Sequence, residues 1–340
     1  MRLPNLSFTR LNQLTDDKGI FEHAEGTLTR YDHGYCVDDV ARALVVVSRV
    51  PMTLENPERQ KLCDIYLSFL LSAQTSNGSF HNRLGLDRRW KDQSSVQDCW
   101  GRALWGLGTF ISSQPEGQAR ETALRAFTIG AKQRSPWLRS MAFAALGATE
   151  VLQVLPNHYQ AQSILKDTAL RIGRPRTSMS WPWPEDRLEY ANAVLPEILI
   201  AAGTAFTDES LVEDGLILLG WLVELETFGG HLSVTPVGGR GPTDISPAFD
   251  QQPIEVAALA DACVRALKIT GDRRWVDALE LTVEWFLGNN DACIPLYDPV
   301  SGGCCDGLER FGRNENQGAE STLAALSTLQ HGHSLSERAL

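Results

Sequence analysis

Helical stretches that are apolar nearly all round alternate along this chain with stretches that are apolar on one face only. The first kind is Val37–Val50, Val96–Ser113, Leu138–Leu155 and Ile254–Thr270. The second kind is Gln60–Gln74, Gln118–Lys132, His158–Ile172 and Arg273–Leu287. A helix apolar on every side must be surrounded by protein, whereas a one-sided helix covers a core and faces water. Alternating inner and outer helices are what a closed double ring requires. Arg187–Phe206, Glu209–Thr227 and Ala319–Leu329 also carry apolar residues at three- and four-residue spacing. That makes about eleven helices, near the twelve of six hairpins. The expected fold is therefore all-α, an (α/α)6 toroid with long loops on one face. No linker interrupts the pattern, so residues 1–340 read as one domain. A short fixed repeat is absent, which argues against a solenoid.

Three segments break the helical pattern: Gly78–Trp90, Phe228–Asp250 and Asn289–Gln317. Loops beyond about 12–15 residues tend to be functional or disordered. Aromatic ends and the HLSV run favour an ordered flap for the second, with a short hairpin.

The chain carries 340 residues, 43% hydrophobic, and a formal net charge of −11. Binding to a phosphate backbone needs a basic footprint, so nucleic acid is an unfavoured partner. No apolar run approaches the length that spans a bilayer. The first residues lack the apolar core of a secretory signal, which points to a cytoplasmic protein. Of seven cysteines, Cys36, Cys63, Cys99 and Cys263 lie in or beside apolar helices, where Cys acts as a small hydrophobe. Cys304 and Cys305 are adjacent and no CxxC pair occurs, so neither a disulfide framework nor a zinc site is expected. Gly302-Gly303 follows no strand signal and reads poorly as a phosphate loop. No cofactor is implied.

The candidate chemistry centres on Asp32–Leu44, DHGYCVDDVARAL. A polar, aromatic loop leads into Asp38 and Asp39, and an apolar helix follows at once. An acidic first turn complements the helix dipole and can cap free amides. The same sequence of loop, aromatic, carboxylate and apolar helix returns at Asp98, Glu185/Asp186, Asp250/Glu255 and Glu320. Recurrence at distant helix starts suggests one shared polar cleft. Successive side chains on a helix point about 100° apart, so either Asp38 or Asp39 faces that cleft while the other pairs with Arg42.

Eight motifs, in order along nearly the whole chain, resemble a bacterial family. They are TDDKGIFEHA (Thr15–Ala24), HGYCVDDVARAL (His33–Leu44), FHNRLGLDRRW (Phe80–Trp90) and DCWGRALWGLG (Asp98–Gly108), then WPWPEDRLEYANAVLPEIL (Trp181–Leu199), FDQQPIEVAALADAC (Phe249–Cys263), LYDPVSGGCCDGL (Leu296–Leu308) and NENQGAESTLAAL (Asn314–Leu326). The family is the six-hairpin-glycosidase-like domain, found alone or fused behind glycosyltransferases. The resemblance implies an (α/α)6 fold, a carbohydrate ligand and, since no transferase domain is attached, a protein that acts alone or with a separate glycosyltransferase. This chain has Val40 and Trp100 where fused relatives more often carry Asn and His.

Glycosidic cleavage needs two carboxyl groups astride the bond. The candidates are Asp38, Asp39, Asp98, Glu185, Asp186, Asp250, Glu255 and Glu320. Sugar contacts are expected from His33, Tyr35, His81, Asn82, Trp100, Arg102, Trp181, Trp183, Tyr190, Asn192, His231, Gln251, Gln252, Asn316 and Gln317. The expected function is a glycoside hydrolase acting on an oligo- or polysaccharide, with inversion. Two alternatives stand beside it: a non-catalytic glycan-binding partner of a glycosyltransferase, and a sugar epimerase or isomerase. The last would use a histidine pair from His33, His81 and His231 as acid and base.

Overall fold

The computed structural model describes residues 3–51, 57–178 and 180–338. The helix α1 (Thr9–Leu14) comes first, then β1 (Phe21–Glu25), β2 (Leu28–Cys36), α2 (Val37–Ser48), α3 (Pro57–Ala73), β3 (Arg83–Leu84), α4 (Asp98–Ser113), α5 (Gln118–Gly130), α6 (Leu138–Val154) and α7 (Tyr159–Ile172). The chain continues with α8 (Val194–Phe206), α9 (Glu209–Leu225), β4 (Thr227–Phe228), β5 (His231–Leu232), α10 (Pro253–Thr270), α11 (Arg274–Leu287), β6 (Tyr297–Asp298), β7 (Gly303–Cys304), β8 (Gly307–Glu309), β9 (Gly312–Asn314) and α12 (Ala319–Arg338). The eleven expected helices are present, and α1 is added to them; its six residues are too few to show a period. No helix among the described residues is long and apolar enough to cross a membrane.

Backbone contacts divide the chain into two compact units. One comprises Asn12–His23 and Thr29–Arg171; the other comprises Met1–Leu11, Ala24–Leu28 and Ile172–Leu340. In the Asn12–Arg171 unit, α4 packs between α2 and α6, with α3 against α2 and α5 against α4. The three inner helices run parallel. Gly101 meets Ser140 and Gly108 meets Gly147, so α4 and α6 advance together; Arg102 meets Asp38 and Gly106 meets Ala41, so α2 does too. Glycine is what allows this. A Cβ on Gly108 or Gly147 would run into the backbone of the facing helix. All three N-terminal ends therefore lie at one end of the unit, beside β2 and β3. There β2 pairs antiparallel with β3, Tyr35 opposite Leu84 and Cys36 opposite Arg83. Gly34, with φ 68°, lets the two strands close, because a Cβ there would strike the Leu84 carbonyl.

In the other unit α8 pairs with α9, while α10 packs on α8, α11 and α12. The expected start of α8 at Arg187 moves to Val194. Leu188 and Arg240 exchange two backbone hydrogen bonds of 2.8 and 3.0 Å, and Ala191 takes a φ of 46°, so these residues are committed to a loop. The expected flap is present as the β4–β5 hairpin, Phe228 opposite His231. Its base is clasped by Glu226, which is buried. The carboxylate accepts from Thr235 N at 2.9 Å and from Thr235 Oγ1 at 2.6 Å, and its carbonyl accepts from Ser233 N at 2.8 Å.

Gly147→Ala is expected to destabilise the protein by about 1–3 kcal/mol through overpacking against backbone. Gly220→Ala serves as the control: its Cβ meets only an arginine nitrogen at 4.0 Å, and helix propensity alone should stabilise by up to about 1 kcal/mol. Urea unfolding of both variants measures the difference. Burial raises the pKa of Glu226 against the opposing hydrogen bonds of Thr235 and the charge of Arg240. A raised carboxyl contributes stability that is complete below the unfolded value of about 4.3 and is lost as pH rises through the folded value. Glu226→Gln keeps the acceptor oxygen, so its unfolding free energy should fall less than the wild type's between pH 4 and 8.

Candidate functional site

The N-terminal ends of α2, α4 and α6 gather the first cluster. Cys36 stands before α2 in extended conformation, φ −117° and ψ 131°, without a side-chain cap. The first free amide of α2 is satisfied from another loop: Val37 N donates to Asn82 O at 2.9 Å. Of the two acidic residues in that turn, Asp39 is buried and accepts from Arg42 Nη1 at 2.6 Å, one turn on. Asp38 points the other way. Its Oδ1 is buried and takes no hydrogen bond from the described residues; Arg102 Nε lies 3.6 Å from it, a charge contact beyond hydrogen-bond length. Its Oδ2 accepts from Cys36 Sγ at 3.4 Å.

Arg102 is held from behind. Its guanidinium lies 3.8 Å over the Phe143 ring of α6 and is almost fully buried. Asp98, one turn before Arg102, accepts from Ser140 Oγ of α6 at 2.7 Å. Asp38 thus meets Arg102, Asn82 reaches the Cys36 thiol beside it, and Asp98 turns to Ser140 of α6.

The neighbouring loops place the expected histidines. His81 stacks on Trp90 at 5.2 Å, and its Nδ1 lies 3.0 Å from the Asp92 carbonyl and 3.6 Å from the Asp92 carboxylate. Asp92 in turn accepts from Asn82 N at 2.6 Å. His33 is exposed on β2 and contacts the His23 ring at 4.6 Å. Tyr35 is buried, stacked on Phe21, with its hydroxyl donating to Asp16 Oδ2 at 2.6 Å. Trp100 is buried completely, its indole N–H given to the Gly130 carbonyl at 3.0 Å. It packs the interior and presents no face for a sugar.

The second unit has its own cluster at the start of α10. Glu255, buried in the first turn, accepts from the Ala191 amide, from Asn192 N at 3.3 Å and from Asn192 Nδ2 at 3.0 Å. Glu255 and Asn192 therefore tie the loop before α8 to α10. Gln251 is fully buried. Its Nε2 donates to Asp291 Oδ2 at 2.6 Å, and its Oε1 accepts from Trp285 Nε1 at 3.3 Å. Asp291 also meets His231 Nε2 at 2.9 Å through its other oxygen. This is a histidine oriented by a buried carboxylate.

Other expected residues of this unit serve the scaffold. Glu185 and Asp186 stand in a loop, not at a helix start. Trp181 and Trp183 are buried around Trp221, and their indole N–H groups donate to Glu185 O at 3.0 Å and Glu185 Oε2 at 3.3 Å. Asp186 is exposed and pairs with Arg176 at 2.9 Å. Asn316 Oδ1 accepts from Gly26 N at 2.9 Å, and the Gln317 carbonyl accepts from buried Arg10 at 2.9 and 3.1 Å. Asp250 and Tyr190 are exposed, Gln252 is the half-buried residue before α10, and Glu320 is half-buried in the first turn of α12.

Sequence reasoning missed Asp92, Ser140, Asp291 and Cys36 as partners of these groups. Nothing in their local spacing marks them, because each acts across a loop or between helices. Among the described residues one trio of ligand-type atoms gathers, Glu22, Cys36 and Asp39, within 4.8 Å of one another. Arg83 pairs with Glu22 and Arg42 with Asp39, so their charge is already balanced and the trio does not read as a metal centre. Burial, and then Asp38 and Asp39, push the Cys36 thiol well up, which keeps it protonated.

No protein-family model and no curated protein sequence matches the chain. Solved structures do. A cellobiose 2-epimerase from Bacillus thermoamylovorans superposes with a TM-score of 0.72 at 10% identity, covering 96% of this chain and 95% of that one. A GH76 α-mannanase of Bacteroides thetaiotaomicron gives 0.64 at 11% identity, over 97% and 94%. A cellulase of C. cellulolyticum gives 0.60 at 8% identity, over 94% and 88%. At such identities the likeness shows the fold: twelve helices in the (α/α)6 arrangement of hairpins.

Proposed function

We propose that the protein is a glycoside hydrolase that works with inversion, Asp38 serving as general base and Asp98 as general acid. One observation carries the reading. The two carboxylates occupy the first turns of adjacent parallel helices, α2 and α4, in a single packed unit. Neighbouring helix axes stand about 8–10 Å apart. An inverting pair needs about 6.5–9.5 Å between its carboxyl groups, to leave room for a water opposite the leaving oxygen. A pair on neighbouring helix starts is compatible with that range.

Each group has surroundings suited to its part. The Arg102 guanidinium and the amide end of α2 present positive charge to Asp38. Ser140 donates to Asp98 Oδ1 at 2.7 Å, which fixes the orientation of the carboxyl group at the start of α4. In the proposed step Asp98 gives its proton to the glycosidic oxygen as the bond to the anomeric carbon breaks. Asp38 takes a proton from a water whose oxygen bonds to that carbon on the opposite face. The products are an alcohol and a hemiacetal of inverted configuration. The solved structures of similar fold include hydrolases, a GH76 α-mannanase and a cellulase among them.

A second reading rests on the His231–Asp291 pair. A sugar epimerase or isomerase must move a proton on and off carbon, work for an imidazole rather than for two carboxylates. Asp291 orients the ring as such a base requires, and the cellobiose 2-epimerase has the same fold.

Asp38→Asn and Asp98→Asn should each lower kcat on a responsive glycan by about 10²–10⁴-fold, the usual worth of a general acid or base. Reducing-end release from a panel of oligo- and polysaccharides measures it. Full activity in both variants would end the hydrolase reading. His231→Ala and Asp291→Asn should leave hydrolysis within a few-fold on that reading. If instead they abolish turnover of free mono- and disaccharides, followed by NMR of the reducing sugar, while the Asp38 and Asp98 variants do not, the epimerase reading holds.

A further inference from the structure

Cys36 has so far been a neighbour of Asp38 and nothing more. Its surroundings are odd for a core cysteine, which ordinarily fills an apolar gap. Sγ lies 3.4 Å from Asp38 Oδ2 and 3.3 Å from Asn82 Oδ1, two acceptors for one S–H. Glu22 and Asp39 carboxylate oxygens stand within 4.8 Å. The thiol is thus enclosed by oxygen atoms, and it is buried. Its geometry is fixed from both sides. Cys36 ends β2 against β3, while Asn82 is pinned by Asp92 at its amide and by Val37 at its carbonyl.

Between the two acceptors, a carboxylate binds a donor more strongly than a neutral amide does. The thiol proton therefore belongs to Asp38 for as long as Asp38 is ionised. Oδ1 is buried with Arg102 Nε 3.6 Å away, so the thiol contact falls on the other oxygen of Asp38.

We propose that Cys36 is a positioning residue: its S–H donates to Asp38 Oδ2, aims that carboxylate, and sets the lower pH limit at which it works. The second half rests on the hydrolase reading, whereas the S–H contact does not. Other charged or titratable groups stand around Cys36 and Asp38. Glu22 comes from β1, Asp39 and Arg42 from α2, and Arg102 and Cys99 from α4. Asp92 flanks Asn82 from its loop. Any test must separate Asp38 from these.

The S–H stretching band in the infrared does so on the intact protein, free of overlap from other groups. Subtracting the Cys36→Ser spectrum isolates the Cys36 band among the seven thiols. It should lie at low wavenumber, move up in Asp38→Asn, and step upward once as pH is lowered. That step should vanish in Asp38→Asn and survive in Asp39→Asn and Glu22→Gln. A Cys36 band unmoved by Asp38→Asn, or a step that follows Asp39 or Glu22, overturns the proposal. For the second half, p-nitrophenyl glycosides are the probe. Cys36→Ala should shift the acidic limb of kcat/KM up by about half to one pH unit, the size of one hydrogen bond, and Cys36→Ser should shift it down. A purely structural cysteine would change Tm and leave the limb in place. A band that responds to Asp38 together with undiminished hydrolysis by Asp38→Asn would keep the thiol contact and overturn the catalytic reading.

Discussion

The close approach of parallel helices α2, α4 and α6 governs what the Asn12–Arg171 unit can present. Gly101, Gly106, Gly108 and Gly147 remove side chains where the backbones meet, so the helices lie nearer than leucines would permit. Parallel neighbours are electrostatically costly, since like dipole ends stand side by side. The unit answers that cost at its N-terminal end with acidic first turns on α2 and α4, Asp38 and Asp39 on one and Asp98 on the other. Of these, Asp39 is buried against Arg42, and Asp38 and Asp98 are the two we propose for the chemistry. Packing and chemistry here have one origin.

Acidic residues on this chain divide by what their second oxygen meets. Asp39, Glu226 and Glu255 are buried and held by a guanidinium, a threonine and a loop respectively. Asp306 caps α12 from outside, accepting from Gly318 N at 2.9 Å and Ser321 Oγ at 2.8 Å. Such groups make the scaffold, and replacing them would be felt as stability. Asp38 differs because, among the described residues, Oδ1 takes no hydrogen bond and has a guanidinium 3.6 Å away, while Oδ2 accepts from a thiol. A weakly committed oxygen can exchange its partner for water without dismantling the fold.

How far the sequence discloses this depends on whether the signal is local. The alternation of apolar and one-sided helices is local, and it delivers most helices nearly to their ends, though α12, expected to stop at Leu329, runs on to Arg338. The pairing of Asp39 with Arg42 is also local, one helical turn. What fails is long-range. WPWPEDRLEY looks like an aromatic helix start, yet Leu188 bonds to Arg240, more than fifty residues on, and Ala191 turns left-handed over Glu255. Trp100 and Trp183 look like stacking surfaces in an aromatic-rich loop, but their burial is set by helices elsewhere in the chain. Asp291 is invisible for the same reason, since nothing in NNDAC announces a histidine sixty residues earlier.

Hydrolysis and epimerisation of sugars ask the same fold for different proton donors. Breaking a glycosidic bond requires a proton on oxygen and an activated water, which carboxyl groups at helix-to-helix distance can manage. Moving a hydrogen on carbon requires a stronger base held in one tautomer, and an imidazole backed by a carboxylate is such a base. Asp38 with Asp98 is the pair we propose for the first task, and His231 with Asp291 has the form of the second. They differ in origin. The carboxylates come with rigid helix starts that the packing of α2, α4 and α6 fixes. His231 sits on a two-residue strand of the flap, positioned by the buried Gln251, Asp291 and Trp285 rather than by helix geometry. A site on helix starts keeps its spacing as loops vary, whereas a flap histidine depends on every link of its hydrogen-bonded chain. That asymmetry is why we propose the carboxylate pair rather than the flap histidine as the reacting centre.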